Sequence, residues 1–276
     1  MKKILITGSS GYIGSHLCDM LSGEYEVHGL DIVQPQVETE KFYNVDINKQ
    51  FAIDGVEFDA VVHLAALTSV PESQERPISY YITNLNGTMN VLNKCKTKNF
   101  IFASTGAAQD CLSAYGVSKR AAEDVVRSYT KMAEAEYTIF RFYNVIGSTV
   151  AMPTNPDGLF YNLAKARETG EFTIFGSDYP NTVDGTCVRD YVHVEEICHA
   201  IKMAIEKPAN NTECLGHGVG YTVQEMVNIF QRVNDCEFNV NKGPRRDGDI
   251  EYYVLEDVSP YMKNLYSVED LLKVNV

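Results

Sequence analysis

The sequence predicts an α/β fold whose core is a doubly wound parallel sheet, followed by a smaller C-terminal region. Short apolar runs rich in Val, Ile and Leu alternate with longer segments of helical periodicity over the first half of the chain. Parallel strands are covered by helices on both faces, which is why they consist of such continuous apolar runs. We therefore expect one domain over residues 1–145 and a second region over residues 146–276, of which about 187–215 returns to the first sheet.

Five strand-like runs and five helical patterns make up this prediction. Strands are predicted at residues 3–7, 26–31, 60–65, 100–104 and 137–142. Helices are predicted at residues 14–21, 78–96, 113–132, 159–168 and 223–233. The last of these helices begins with Thr222 and Glu225, the spacing of a capping box. A loop containing Pro, Gly and Asp, over residues 147–158, marks where the strand–helix alternation breaks.

Composition excludes several classes of partner. The formal net charge of −13 at pH 7 argues against nucleic acid or an anionic membrane surface. Seven scattered cysteines without a C-x-x-C pair suggest reduced thiols in a cytosol. The segment after Met1 has a strand pattern rather than the apolar core of a signal peptide, and no run of about 18 apolar residues is present. We therefore expect a cytoplasmic protein.

The first predicted strand leads into a glycine-rich turn formed by Gly8, Gly11 and Gly14. In a strand–turn–helix unit, the first glycine permits the tight turn and the second lets the backbone approach a pyrophosphate. The third lets the helix pack close to the strand. The N-terminus of the helix then directs its N–H groups at the phosphates. This spacing predicts a dinucleotide site in a Rossmann fold.

Asp31 ends the second predicted strand, 23 residues after Gly8. A carboxylate there accepts hydrogen bonds from the adenosine ribose hydroxyls and repels a 2′-phosphate. No Arg follows it in the run Ile-Val-Gln, so NAD is favoured over NADP. Asp46 and Ile47, after the third strand, are expected near the adenine. The alternative is that Asp31 only caps a turn in a doubly wound protein without a cofactor.

Tyr115 and Lys119 lie four residues apart in the run Tyr-Gly-Val-Ser-Lys, on one face of a predicted helix. Free tyrosine has a pKa near 10, so a base at neutral pH needs that pKa lowered by roughly 3 units, about 4 kcal/mol. Lys119 and a positively charged nicotinamide ring are two cations that favour the phenolate. The pair therefore predicts nicotinamide-dependent oxidation of a hydroxyl. The simpler interpretation is an ordinary tyrosine at the start of a helix.

Segments along most of the chain resemble the extended short-chain dehydrogenase/reductases, and most closely the UDP-galactose (UDP-glucose) 4-epimerases. These segments are residues 7–16, 61–73, 84–88, 100–105, 115–119, 141–147, 175–194 and 243–249. The last two are the most specific. The resemblance implies a Rossmann domain that binds NAD, a substrate-binding C-terminal region, and epimerisation at C4 of a UDP-hexose through a 4-keto intermediate. It also implies a homodimer through helices 78–96 and 113–132, where Ala121, Val125 and Met132 form an apolar stripe.

The resemblance assigns residues to roles. Tyr115 takes the proton of the C4 hydroxyl, Thr105 hydrogen-bonds the same oxygen, and Lys119 completes the catalytic group. The residues expected to contact NAD are Gly8, Gly11, Tyr12, Ile13, Gly14, Asp31, Asp46, Ile47, Leu64, Ala65, Ala66, Asn84, Ala103, Tyr115, Lys119 and Tyr143. The residues expected to contact the UDP-sugar are Thr105, Asn144, Thr173, Phe175, Arg189, Arg246, Asp249 and Tyr253.

Among these, Arg189 and Arg246 are expected to bind the diphosphate as bidentate donors. Asp249 would accept a ribose hydroxyl, and Tyr253 would fill the space that a 2-acetamido group needs. Arg245 is expected to be a surface ion-pair partner. A second set, His193 and His199 with Glu195 and Glu196, could suggest a metal site, but a strand and a helix start account for these residues and no metal is expected.

The chain departs from the family in two short segments. Nine residues separate Thr105 from Tyr115, and the segment from Asp31 to Asp46 has little room for the usual helix. The chain also lacks the Asp-Glu pair that nucleotide-sugar 4,6-dehydratases carry after the Thr. The alternatives left open are a UDP-N-acetylhexosamine or UDP-pentose 4-epimerase, another nucleotide-sugar oxidoreductase, and a non-catalytic NAD-sensing protein.

Overall fold

The computed structural model describes residues 1–53, 55–246 and 249–274. Its strands are β1 Lys3–Thr7, β2 Glu26–Asp31, β3 Lys41–Asn44, β4 Glu57–Phe58, β5 Ala60–His63, β6 Lys96–Thr97, β7 Asn99–Thr105, β8 Glu136–Phe142, β9 Asn144–Ile146, β10 Glu171–Phe175, β11 Val188–His193, β12 Asn211–Leu215, β13 Gly220–Thr222, β14 Asn239–Gly243 and β15 Tyr252–Tyr253. Its α-helices are α1 Tyr12–Leu21, α2 Val70–Glu75, α3 Pro77–Tyr80, α4 Gly87–Lys94, α5 Ala107–Asp110, α6 Ala114–Met132, α7 Leu159–Thr169, α8 Val194–Glu206, α9 Val223–Val233 and α10 Val268–Leu271.

Within the described residues, seven strands form the main sheet in the order β12-β8-β7-β5-β1-β2-β3. The pairs β1–β2, β1–β5, β2–β3, β5–β7 and β7–β8 are parallel. Strand order reverses between β1 and β5, as in doubly wound sheets. The predicted fold class is confirmed. The continuous apolar runs are explained by burial, since every residue of β5 and nearly every residue of β1 is inaccessible to solvent.

The chain divides into two compact units. Unit 1 comprises residues 1–142 and 198–214, and unit 2 comprises residues 143–197 and the chain from Leu215 onward. The C-terminal segment that rejoins unit 1 covers residues 198–214, which is shorter than the predicted 187–215. Strand β11 pairs with β9, β13 and β15 in unit 2, so β12 is the strand of this segment that joins the main sheet.

The helix predicted over residues 78–96 is interrupted. It starts as α3, widens to a π-helix over Tyr81–Asn86, and continues as α4 to Lys94. The Thr88 hydroxyl donates to the Asn84 carbonyl oxygen at 2.6 Å. The Asn84 carboxamide binds the backbone of Leu67 in both directions. These contacts with a distant segment favour the wider turn, and such turns are frequent at functional sites.

Unit 2 has its own apolar core, in which α7 and α9 pack with β10 and β11. The capping box at the start of α9 is present in both directions, between Thr222 and Glu225. In unit 1 the described residues between β2 and β3 contain no helix, as their number predicts. Among the described helices of the chain, none has the length and hydrophobicity needed to cross a membrane.

Candidate active site

The glycine-rich turn after β1 has room for backbone atoms only. Gly8 has a φ of +72°, and a Cβ there would lie 2.7 Å from the Ala65 backbone nitrogen. A Cβ on Gly14 would lie 2.0 Å from the Gly8 carbonyl oxygen, so α1 packs directly on the turn. Helix α1 begins at Tyr12 after Gly11, without a side-chain cap and without an acidic residue in its first turn. The positive end of α1 therefore suits an anion such as pyrophosphate.

Asp31 is held at the end of β2 by backbone donors. Its Oδ2 accepts the N–H of Ser10 and its Oδ1 accepts the N–H of Val33, both at 3.0 Å. Each oxygen of a carboxylate can accept a second hydrogen bond, so two acceptor positions remain for ribose hydroxyls. The buried hydroxyl of Ser9, beside Gly29, has no hydrogen-bond partner within the described residues. The close-packed glycine turn, the oriented carboxylate and this hydroxyl fit NAD.

Further predicted NAD contacts lie where β5 ends. Residues 64–66 follow this strand directly, and the N–H of residue 64 donates to the Thr7 carbonyl oxygen at 3.0 Å. The Asn84 carboxamide donates to the Leu67 carbonyl and to the Ser118 hydroxyl, each at 3.0 Å. Asn84 therefore ties the segment after β5 to α6. The carboxamide of Asn84 is thus already hydrogen-bonded within the protein. A direct contact of Asn84 with NAD stays a prediction.

Other predicted NAD contacts have their side chains in the interior. Ile47 and Ala103 are buried, Ile47 within the core of unit 1. Asp46 accepts the N–H of Asn48 at 2.9 Å and thus closes a turn. The carbonyl oxygen of Ile13 accepts a hydrogen bond from the thiol of Cys198. The side chains of Ile47 and Ala103 therefore shape the walls of unit 1 and have no polar group to offer.

The three predicted catalytic residues are brought together in unit 1. Ser113 caps α6 by accepting the N–H of Gly116 at 3.1 Å, which places Tyr115 in the first turn and Lys119 in the next. Thr105 ends β7, and its hydroxyl, which accepts the N–H of residue 107 at 3.2 Å, is close enough to Tyr115 to favour the phenolate form. The short connection forms helix α5, so close to α6 that a Cβ on Gly116 would lie 2.4 Å from the carbonyl oxygen of residue 107. The shortened segment thus keeps Thr105 beside Tyr115.

The titration behaviour of this group is determined mainly by burial. Burial raises the pKa of Tyr115 to about 12, and the nearby hydroxyl of Thr105 opposes this only partly. Burial also lowers the pKa of Lys119 to about 7, against the attraction of Glu123. The ammonium lies 4.3 Å from the centre of the Phe102 ring. Because burial disfavours both charged forms, burial is the largest influence on the pKa of Tyr115 and of Lys119 in the dinucleotide-free protein, and a lowered pKa of Tyr115 in the presence of NAD stays a prediction.

Replacing Lys119 with Met should stabilise the dinucleotide-free protein. Because the folded-state pKa lies below the unfolded value near 10.4, the unfolded chain binds more protons between pH 7 and 10. The cost of burying Lys119 is therefore complete below pH 7 and disappears as the pH rises towards 10. We expect Lys119→Met to raise the free energy of unfolding by about 3 kcal/mol at pH 7 and by much less at pH 10.

Urea unfolding at the two pH values measures this difference. Lys131→Met, at an exposed position near the end of the same helix, is the matched control and should change neither value. A stabilisation of Lys119→Met that is equal at both pH values would contradict the assigned cause.

A buried charge network beneath α6 was not found by sequence reasoning. Glu123 is fully buried and accepts two hydrogen bonds from Arg141, at 2.8 and 2.7 Å, and one from Arg127 at 2.9 Å. Ser104 donates to it at 2.6 Å. The i, i+4 spacing of Lys119, Glu123 and Arg127 was the signal in the sequence, but such spacing is more typical of exposed ion pairs.

His63 is a core histidine. Its ring nitrogens lie 2.6 Å from the Thr7 hydroxyl and 2.9 Å from the Thr88 hydroxyl. Burial lowers the pKa of His63 to about 3, and the nearby Lys119 contributes to this shift. His63 is therefore neutral at physiological pH and carries no charge to the catalytic group.

In unit 2, five predicted ligand-binding residues form one cluster. Arg189 Nη2 lies 2.6 Å from Asp249 Oδ1, so these two predicted contacts pair with each other. Arg189 is also in register with Tyr253 across β11 and β15. The ring of Tyr253 stacks on that of Tyr143, with centroids 5.0 Å apart. The carboxamide of Asn144 donates to the Asp190 carbonyl oxygen at 2.8 Å and so ties β9 to β11.

A second cluster in unit 2 lies at β10. Thr173 and Phe175 are two residues apart on the more exposed face of this strand. The Arg246 guanidinium lies over the Phe175 ring, 4.2 Å from its centre. The backbone N–H of Asp249 donates to the Arg246 carbonyl oxygen at 3.1 Å, which links the two clusters. Asp247 and Gly248, in the same predicted turn, lie outside the described residues.

Neighbouring residues have the structural roles that were expected. Arg245 forms an ion pair with Asp178 at 2.7 Å, so it is the surface partner that the sequence suggested. His193 accepts the N–H of Glu195 at 3.2 Å, and its ring stacks on Tyr266. The Glu196 carboxylate accepts the N–H of His193 and contacts other parts of unit 2.

The fold and these residues define a nucleotide-sugar-modifying class of the Rossmann proteins. The chain belongs to the NAD dependent epimerase/dehydratase family, which residues 4–216 match. It is similar to the UDP-glucose 4-epimerase of Bacillus subtilis, with 32% identity over 90% of this chain and 86% of that protein.

Solved structures give the same result. The UDP-glucose 4-epimerase of Bifidobacterium longum, in complex with NAD⁺ and UDP, matches 98% of this chain and 96% of its own, with a TM-score of 0.87 and 25% identity. The UDP-glucose 4-epimerase of Thermotoga maritima, with UDP-glucose, matches 98% and 96%, with a TM-score of 0.84 and 27% identity.

Proposed function

We propose that this protein is an NAD-dependent UDP-hexose 4-epimerase that interconverts UDP-glucose and UDP-galactose through a 4-keto intermediate. The observation that carries the proposal is the grouping of Thr105, Tyr115 and Lys119: the Thr105 hydroxyl is close enough to Tyr115 to lower its pKa, and the buried Lys119 lies one helical turn further along α6. It occurs in the unit that also contains the glycine turn and Asp31. A protein that only sensed NAD would need the glycine turn but not this group.

The roles of the residues follow from their chemistry. When bound, NAD supplies the acceptor and later the donor of the C4 hydride, and its ring carries a positive charge in the oxidised form. Tyr115 takes the proton of the C4 hydroxyl, and Thr105 hydrogen-bonds the same oxygen. Residues of the glycine turn hold the pyrophosphate, and Asp31 holds the adenosine ribose.

Unit 2 would bind the UDP part of the substrate. Arg189 and Arg246 are donors suited to the diphosphate, and Asp249 is an acceptor for a ribose hydroxyl. Thr173 and Phe175 would border the uracil. In an epimerase the keto sugar must rotate within the site before the hydride returns to its other face. The protein is therefore expected to bind the nucleotide tightly and the sugar loosely.

The test is incubation of the purified protein with UDP-galactose and no added NAD. We expect UDP-glucose to form, and denaturation to release about one NAD per chain, because a cofactor restored in every cycle has no need to leave. Absence of turnover on UDP-hexoses, their N-acetyl forms and UDP-pentoses, even with NAD added, would contradict the proposal and favour a binding protein.

The side chain of Tyr253 is expected to favour UDP-glucose over UDP-N-acetylglucosamine. Tyr253 is half-buried against Tyr143, whereas Tyr252 is 61% exposed, so Tyr253 is the residue that can limit a pocket. Forcing extra atoms into a packed site costs about 1–3 kcal/mol, roughly 10–100-fold in kcat/KM. Tyr253→Ser should reduce this preference, and Tyr252→Ser should not. A wild-type protein without any preference would contradict the assignment.

We also propose a cytoplasmic homodimer. Apolar side chains exposed along α3, the π-helix, α4 and the two ends of α6 support it: Ile78, Ile82, Met89, Val117 and Met132. Of the predicted stripe, Val125 packs partly on the core of unit 1. Light scattering at low micromolar concentration should give about twice the chain mass of 30.9 kDa, and Ile78→Glu should reduce it. A monomeric wild-type protein would contradict this interface.

A further inference from the structure

Glu123 is a buried carboxylate that joins three elements of unit 1. It lies on α6, one turn after Lys119. Arg141, which binds it with two nitrogens, lies on β8. Ser104, which donates to it at 2.6 Å, lies on β7 directly before Thr105. Through one side chain, the helix that carries Tyr115 and Lys119 is tied to the strand that carries Thr105.

A purely structural role would not require a charge at this position. Burying an ion pair costs so much desolvation free energy that apolar residues of similar volume are often as stabilising. The charge does have an effect on Lys119, which is 3% exposed. Glu123 favours the ammonium form of Lys119, whereas burial opposes it.

We propose that Glu123 is a positioning residue for the proposed reaction: it holds Thr105 in register with Tyr115, and its buried negative charge keeps Lys119 an ammonium. The inference rests on the proposed function. Without this charge Lys119 would lose its proton at lower pH, and the phenolate of Tyr115 would lose one of its two cations.

The other titratable groups of this cluster stay in one form near neutral pH. Burial lowers the pKa of His63 to about 3 and raises that of Tyr115 to about 12. Burial also raises the pKa of Cys214, on β12, which Arg141 and Glu123 influence as well. Arg141 and Arg127 remain cationic. A change in activity near pH 7 that depends on Glu123 is therefore assigned to Lys119.

The experiment is the pH dependence of kcat for the NAD-containing protein with UDP-galactose. In the wild type, kcat should fall as the pH rises and Lys119 loses its proton. Glu123→Gln, which keeps the shape but loses the charge, should move this fall towards lower pH by about one unit. Glu123→Asp keeps the charge, so it should lower kcat without moving the pH of the fall.

Arg127→Gln is the matched control. It removes a hydrogen bond to the same carboxylate, and others to Asp124 and Thr212, but leaves the charge of Glu123. It should lower thermal stability and leave the pH profile in place. The inference would be overturned if the pH profile of kcat for Glu123→Gln coincides with that of the wild type. It would also be overturned if the profile of Arg127→Gln moves towards lower pH by as much as that of Glu123→Gln. If Glu123→Gln does not fold, the pH profile of Glu123→Asp decides: a shift of this profile overturns the inference, and an unshifted profile supports it.

A second readout does not depend on turnover. Because the loss of the Glu123 charge lowers the pKa of Lys119 further, the rise of stability with pH should begin at lower pH in Glu123→Gln than in the wild type and be larger in total between pH 6 and 10. A rise that begins at the same pH in the two proteins would overturn the inference. A wild-type protein that is inactive on every UDP-sugar refutes the proposed function, whereas an active wild type with an unshifted Glu123→Gln refutes only the role of Glu123.

Discussion

Replacing Tyr115 with Phe is expected to lower kcat by about a thousandfold, because general base catalysis by a positioned side chain contributes roughly 10²–10⁴-fold. The substitution removes the hydroxyl, whose pKa the neighbouring Thr105 influences, and keeps the ring. Binding of the UDP-sugar should change little, since the base acts in the chemical step. Steady-state kinetics gives kcat, and calorimetric titration with UDP gives the affinity.

Tyr80→Phe is the matched control for this prediction. The Tyr80 ring lies 6.3 Å from that of Tyr115, edge to face, and its hydroxyl donates to Glu72 instead. Tyr80 is a buried tyrosine beside Tyr115 whose hydroxyl does not belong to the catalytic group, so kcat should stay within about tenfold of the wild type. If Tyr115→Phe retains nearly full activity, the base is a different group and Thr105 becomes the first candidate.

Arg246→Ala is expected to raise KM for the UDP-sugar by roughly 30–100-fold with a smaller effect on kcat, because a hydrogen bond between charged groups is worth about 1.5–3 kcal/mol. The Arg246 guanidinium lies over the Phe175 ring, and among the described residues it has no carboxylate partner. Its donors are therefore available to a diphosphate. Initial rates over a range of UDP-galactose concentrations separate KM from kcat.

Arg245→Ala is the control, because the neighbouring guanidinium is already bound to Asp178 and lies over Tyr179. We expect its KM to stay within about threefold of the wild type, as for an exposed ion pair. Equal effects of the two substitutions would mean that KM responds to the net charge of the segment and not to a contact made by Arg246.

Several features of the predicted NAD-binding unit and of helix α9 could be predicted from short stretches of sequence. The glycine turn, Asp31 at the end of β2 and the capping box of α9 each depend on residues that are close together in the chain. Such patterns constrain the backbone directly, since a left-handed φ needs glycine and a helix start needs an acceptor for its N–H groups. The Tyr115–Lys119 spacing is local in the same way, because one helical turn brings both residues to one face.

Only the tertiary structure decided the charges and partners of the functional groups. Burial, and not the nearest charge, is the largest influence on the pKa of Tyr115 and on that of Lys119, and burial depends on the whole fold. Arg189 and Asp249 pair across 60 residues. This ion pair can form only after folding has brought β11 close to the segment around Asp249.

The same reason explains the interrupted helix and Glu123. Within the π-helix, Asn84 accepts the N–H of Leu67, 17 residues earlier. The sequence places Glu123 on the catalytic helix, but whether its carboxylate faces solvent or Arg141 depends on the packing of α6 on β7 and β8. Residue types and short spacings were therefore sufficient for the fold class and for naming the candidate reactive groups, whose roles stay predictions. Their protonation and orientation required the folded protein, because desolvation and long-range hydrogen bonds arise only when distant segments pack together.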